Sequence, residues 1–287
     1  MPTKLKEYPL LDYSKYESSS HIVPFFTEIT NSSNNSNSSK AIYYCAIRHT
    51  FDPGDAILEQ IKNAFVSFKP DLVILESSTK INKSYSERAE YLNKIRNTDT
   101  KKLIEERGEF GFSLKLALDN NVDMYCPEPE FIDQVMSLAL SYSLEEVFVS
   151  KILEMAVQFD TMNNNASLDD YLNDEIKYQK NLFAKEIKWG GFNFTLENFK
   201  NCFYNISNHK FDETNCNFWR ELDDPIPWKE KAFEWTVLNN ISQTNTNFRD
   251  NFILTRIQEQ LEVHSRIFIV YGGSHYYAQE EALKKIL

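Results

Sequence analysis

Glycine is scarce in this chain, with 7 residues in 287, so the few positions where two glycines stand together carry weight. No run of about 18 apolar residues occurs, which argues against a membrane-spanning helix. The opening residues lack the apolar stretch of a secretory signal. The four cysteines, Cys45, Cys126, Cys202 and Cys216, show no CxxC spacing. Free thiols in a reducing cytoplasm are therefore expected rather than disulfides or a zinc knot. Basic residues are outnumbered, 31 Lys and Arg against 42 Asp and Glu, a net charge of −11. An acidic chain repels phosphate backbones, and no basic stripe interleaved with aromatics offsets this, so nucleic acid is not an expected partner.

Apolar periodicity gives the layout. The run 42–47 reads as a buried strand and 72–75 as a second. Between them Ile57, Ile61, Ala64, Phe65 and Phe68 repeat at helical spacing, with Asp52 as the expected N-cap and Pro53 in the first turn. A third strand is expected at 122–126, stopped by Pro127-Glu128-Pro129-Glu130, and a last strand at 267–271 followed by a final helix. The strand–helix–strand order predicts an α/β fold with a mixed or mostly parallel central sheet flanked by helices. Four stretches follow: a peripheral segment 1–40 whose Asn/Ser tract at 30–39 reads as a mobile loop, a first α/β half at 41–130, a helical insertion at 131–244, and a second α/β half at 245–287 that completes the same domain.

Of the five histidines, two occupy the same topological point. Arg48-His49 follows the first strand, and Gly272-Gly273-Ser274-His275 follows the last. That edge of an open α/β sheet is where ligands bind. The Gly272-Gly273 pair permits unusual backbone angles and close approach to a ligand. Glu76 closes the second strand, where a carboxylate is costly unless paired, ligated or protonated. Each has a plainer reading as a turn or a solvated strand end. Glu109 and Asp250 both read as acids near a helix start, where the dipole favours them. Arg249 is not favoured there and needs a carboxylate partner or an anionic substrate. His21, His209 and His264 read as surface residues, and Tyr276 and Tyr277 as packing.

The motifs Ala46-Ile47-Arg48-His49 and Gly272-Gly273-Ser274-His275 resemble the paired GxxH motifs of the TraB/PrgY/TIKI family, with Ala46 where that family has glycine. Glu76 matches its strand-end glutamate. Gly108-Glu109 looks like its second acidic motif, and Phe248-Arg249-Asp250 like its Glu-Arg-Asn/Asp motif, with Phe248 in place of the acid. The resemblance covers about 42–129 and 246–287 and leaves out the helical middle. It implies hydrolysis of an amide or ester bond in a small molecule or peptide, with His49, Glu76, Arg249 and His275 as catalytic residues. In a metal-dependent form, zinc or manganese would be held by His49, Glu76, Glu109 and His275. In a metal-free form a histidine acts as base, as is thought for the esterases of the wider superfamily. The alternative it implies is a haem- or peptide-binding protein without turnover.

Overall fold

The computed structural model describes residues 7–11, 24–30, 40–76, 82, 85–161, 167–187, 189–212, 214–226 and 234–287. Of the expected loop at 30–39, Thr30 ends a strand and the rest lies outside the described residues, as does His21. The chain divides into two compact units, one formed by Glu130–Arg249 and the other by the described residues up to Pro129 together with Asp250–Leu287.

The second unit holds a five-stranded mixed sheet, mostly parallel. Its strands are β1 (Phe25–Thr30), β2 (Ala41–Ile47), β3 (Leu72–Leu75), β4 (Asp123–Tyr125) and β5 (Arg266–Gly272), in the spatial order β1-β2-β5-β3-β4. β1, drawn from the segment expected to be peripheral, pairs antiparallel with β2 at one edge. The other pairings are parallel. β5, the last strand in sequence, is wedged between the first two parallel strands. Ile47 therefore stands opposite Gly272 and Leu75 opposite Val270, so both histidine turns and Glu76 leave the sheet at one edge.

The strand residues alternate between two cores, as the two-residue period of a strand requires. Cys45, Ile47, Val73, Leu75, Phe268 and Val270 face α1 (Ala56–Phe68) and α3 (Thr100–Asp119). Ile42, Tyr44, Ile74, Ile267, Ile269 and Tyr271 face the opposite core, which the C-terminal half of α9 (Val237–Gln260) and α10 (Gly273–Ile286) complete. With both faces covered, the strands are continuous apolar runs rather than alternating ones.

Three local expectations change. α1 begins at Ala56, capped by Asp55, whose carboxylate accepts from the Ile57 amide. Asp52 instead accepts from the Gly54 amide in the preceding turn. Pro53 lies ahead of the helix because this Asx turn claims its carboxylate. Asp250 is not at a helix start but deep inside α9, since the helical pattern continues unbroken from Val237. Glu109 does follow a break: α3 is two helices joined at Gly108, whose φ of 62° and ψ of −155° are non-helical.

Glu130–Arg249 is helical throughout its regular elements, from α4 (Phe131–Leu138) to the first part of α9. Its core is built on α5 (Leu144–Thr161), where Val147, Phe148, Val149, Ile152, Leu153 and Ala156 are all buried. Packed with them are residues of α6 (Leu168–Glu186), α7 (Leu196–Ser207) and α8 (Cys216–Asp223). Ser167, Thr195 and Asn215 cap α6, α7 and α8 by accepting from first-turn amides. Lys151 is buried in this unit and donates to Gln134 and Glu154.

Candidate active site

β2 and β5 end in Arg48-His49 and Gly272-Gly273, and β3 ends in Glu76. The Glu76 amide donates to the Val270 carbonyl, extending the β3–β5 ladder one residue past the strand and fixing where the carboxylate emerges. Glu76 Oε2 accepts the Gly272 amide at 2.6 Å. Gly272 is the N-cap of α10, so the carboxylate sits at a helix N-terminus, where exposed N–H groups and the dipole favour negative charge. That resolves the burden of a carboxylate at the end of an apolar strand.

Gly272 has φ −55° and ψ 139°, angles open to any residue. The expectation that the glycine pair supplies unusual angles is therefore replaced, for Gly272, by one of space. A Cβ at Gly272 would lie 3.1 Å from Glu76 Oε2, 3.5 Å from His49 Nε2 and 3.8 Å from His275 Cδ2. The same three distances bring both histidines and the glutamate to one small volume, well inside the reach of a common site.

Each imidazole is clamped at Nδ1 by a carboxylate. His49 Nδ1 is 2.7 Å from Glu109 Oε1, and His275 Nδ1 is 2.7 Å from Asp250 Oδ1. The ε nitrogens face different oxygens of Glu76, at 3.9 Å from His49 and 3.5 Å from His275. The result is a chain of alternating acids and imidazoles: Glu109, His49, Glu76, His275, Asp250. The clamps are themselves held. Glu109 Oε2 accepts from the Thr50 amide, and the Glu109 amide donates back to the Thr50 carbonyl. A Cβ at Gly108 would stand 2.7 Å from that carbonyl, so only glycine fits where the two loops meet. Asp250 Oδ1 also accepts from the Gln279 side-chain amide at 2.7 Å.

The two imidazoles differ in environment. His49 is 57% exposed, His275 only 7%. The hydrogen bond from Glu109, with Glu76 and Glu109 as negative neighbours, raises His49 to about 9 against its desolvation and the opposing charge of His275. For His275 burial pulls the other way, and the Asp250 and Glu76 carboxylates overcome it to give about 10. Water screens part of the attraction at the open His49. The buried His275 keeps its proton through neutral pH.

The remaining basic residues weighed from sequence have the following surroundings. Arg48 is exposed; the capping Asp55 is held below its ordinary value first by the Ile57 amide and then by the Thr50 hydroxyl, with the Arg48 charge adding least. Arg249 belongs to the helical unit. There burial pushes the Glu154 carboxyl up, and the Lys151 ammonium, with Arg249 adding to it, brings it below its ordinary value. His264 lies 3.7 Å from Asp71, and His209 packs on the Phe218 ring. Three contributors were not picked out from sequence. Gln279 follows His275 by one helical turn on the buried face of α10. Tyr44 buries a hydroxyl without a hydrogen-bond partner among the described residues, within the field of Glu76, Asp250 and Glu128. Glu128, read as a turn residue, accepts from the Tyr271 hydroxyl at 3.1 Å.

Among the described residues, no group of three or more His, Cys, Asp or Glu side chains forms a cluster that could hold a metal ion. The donors of the site explain this. The δ nitrogens are taken by Glu109 and Asp250, and the ε nitrogens face separate oxygens of Glu76 rather than converging on one point. Nor is any helix among the described residues long and apolar enough to cross a membrane. Compared with protein-family models, curated proteins and solved structures, the chain matches none.

Proposed function

We propose that this protein is a hydrolase that cleaves an ester or amide bond by histidine base catalysis. The observation that carries the proposal is the difference between its two clamped imidazoles: one open to solvent, one buried between two carboxylates, both facing a single glutamate. The motif resemblance to the TraB/PrgY/TIKI family points the same way.

The open imidazole is the base. Glu109 holds the proton on Nδ1 of His49, which leaves Nε2 to take a proton from water. The hydroxide adds to the substrate carbonyl and forms a tetrahedral oxyanion. Collapse of that intermediate breaks the bond to the alcohol or amine, which leaves with the proton carried by His49 Nε2. The products are a carboxylic acid and the alcohol or amine, and the base is regenerated. His275 keeps its charge throughout and offers fixed positive charge near the developing oxyanion, an arrangement worth far more in a dry site than in water. Glu76 balances that charge and offers an acceptor to the attacking water.

Zinc or manganese, if bound, would draw on His49, Glu76, His275 and Glu109 and would supply Lewis-acid polarisation. The donors as they stand form no cage, so no step is derived through an ion.

The test uses p-nitrophenyl butyrate and an aminoacyl p-nitroanilide, with His49→Ala, His275→Ala and the wild type assayed before and after EDTA dialysis. Turnover that survives chelation and falls about 100-fold or more in His49→Ala is the expected result. Wild type inert on both substrates, or His49→Ala as active as wild type, overturns the hydrolase. Activity lost on chelation and restored by zinc or manganese replaces the metal-free mechanism with the metal-dependent one.

A further inference from the structure

Phe51 stands two residues beyond His49 and is 49% exposed, although it is large and apolar. Exposed aromatic residues usually sit on surfaces free to move. This one is displayed on a turn secured on both sides. Thr50 is buried, its amide donates to Glu109 Oε2, and its carbonyl accepts from the Glu109 amide. The next amide, that of Asp52, donates to Thr50 Oγ1. Phe51 Cε1 would lie 3.6 Å from a Cβ at Gly108, so one edge of the ring rests on the Gly108-Glu109 junction and the remainder faces solvent. A fixed aromatic surface beside an open imidazole is a ready contact for an apolar group, because little ordering entropy remains to be lost on binding.

Charge narrows the class of ligand. Glu76, Glu109, Asp250 and Glu128 stand against two imidazoles at this sheet edge, with Arg48 and Arg249 next to His49 and Asp250 in the chain, and the chain as a whole carries −11. Negative surroundings repel an anionic substrate.

Resting on the hydrolase reading, we propose that Phe51 is a specificity-determining residue: its ring receives an apolar, ring-sized group next to the scissile bond of an uncharged ester or amide. The substrate class is thus a neutral acyl compound with a phenyl-like or branched aliphatic substituent, rather than a dicarboxylate half-ester or a phosphorylated compound.

The experiment compares p-nitrophenyl phenylacetate, p-nitrophenyl acetate and mono-p-nitrophenyl succinate on wild type, Phe51→Ala and Phe51→Leu. Wild type should prefer the phenylacetate and be poorest on the anionic succinate. In Phe51→Ala the phenylacetate-over-acetate preference in kcat/KM should fall about tenfold, as expected for one lost apolar contact, with the loss carried by KM. Phe51→Leu should recover part of it. An unchanged preference, or an equal fall in kcat on both neutral esters, overturns the assignment. Phenylacetone, a ketone with no bond to hydrolyse, separates this from the hydrolase reading. Calorimetric binding that weakens about tenfold in Phe51→Ala sustains the Phe51 contact even if no ester is turned over. Equal binding to wild type and Phe51→Ala removes it.

Discussion

His275 Nδ1 and Asp250 Oδ1 stand 2.7 Å apart, with Asp250 fully buried and His275 nearly so. Asp250 lies on the face of α9 that also carries Ile253, Leu254 and Ile257, all in the same core. An acid in the middle of an apolar helical face is tolerable only with partners, and His275 and Gln279 are such partners. Removing Asp250 leaves a buried cation exposed to the low dielectric. Asp250→Ala should therefore destabilise the fold by about 3–5 kcal/mol, and Asp250→Asn by less. The sign with pH follows from the raised pKa of His275. Its contribution is complete below about 6.5 and is lost as pH rises through about 10. Urea unfolding at pH 7 and at pH 10.5 should show the gap between wild type and Asp250→Ala narrowing at the higher pH. A gap that is constant with pH would mean that the pair is held neutral.

The same shifts govern the rate. His49 must lose its proton to act as base, so kcat/KM should rise with pH between about 6.5, the unperturbed value, and about 9. Solvent access at His49 places the midpoint below the upper end. The fall should come near 10, when His275 gives up its charge. Glu109→Gln removes the largest cause of the His49 shift, so the rising limb should move to lower pH while the maximum rate falls about tenfold or more. A rising limb that stays in place in Glu109→Gln would take the base role away from His49.

The residues that sequence makes visible are those at strand ends, because an apolar run closed by a histidine or glutamate stands out without any knowledge of pairing. His49, Glu76 and His275 are of this kind, and the mostly parallel α/β sheet follows from the order of runs and helices. Strand order is not visible, because nothing local to β5 says that it enters between β2 and β3. Asp250 was misread because an acid beside a charged neighbour resembles a cap. The correct signal was its spacing of three, four and seven residues to Ile253, Leu254 and Ile257. Gln279 carried a similar signal, four residues beyond His275, but a lone glutamine in an amphipathic helix has too little chemistry to stand out. The Thr50–Glu109 clamp depends on two loops meeting across about 60 residues, and only Gly108 hints at it.

Two glycines should respond to alanine in opposite ways. Gly108 has positive φ, and a Cβ there would stand 2.7 Å from the Thr50 carbonyl, so Gly108→Ala forces the clamp apart at a cost of about 1–3 kcal/mol and loosens Glu109. Gly272 has ordinary angles, and its added methyl would press on Glu76 and His49 without backbone strain. Gly272→Ala should therefore lose activity at least tenfold in kcat/KM while its unfolding midpoint stays within about 2 °C of wild type, since the methyl meets site side chains rather than backbone. Thermal unfolding and ester turnover on both variants check this. A Gly272→Ala protein with full activity would show that the volume between the histidines is not where reaction occurs.

The Tyr44 hydroxyl tests what lies behind the catalytic carboxylates. It is buried, has no hydrogen-bond partner among the described residues, and burial with the nearby negative charges of Glu76, Asp250 and Glu128 pushes it well above the usual phenol range. A buried hydroxyl with no partner carries its desolvation cost uncompensated. Tyr44→Phe keeps the ring, including its edge contact with Tyr276 at 5.0 Å between centroids, and removes only that cost. Stability should be unchanged or rise by up to about 1–2 kcal/mol, measured by urea unfolding. A loss of about 1 kcal/mol or more would instead show that the hydroxyl is bound, with a buried water joining it to a neighbouring carboxylate as the simplest arrangement. The hydroxyl would then help to hold Asp250 or Glu76 in place, and Tyr44→Phe should also shift the descending limb of the pH–rate profile. If neither stability nor profile moves, the phenol is packing alone, and the charge balance of the site rests on its five acid and imidazole groups.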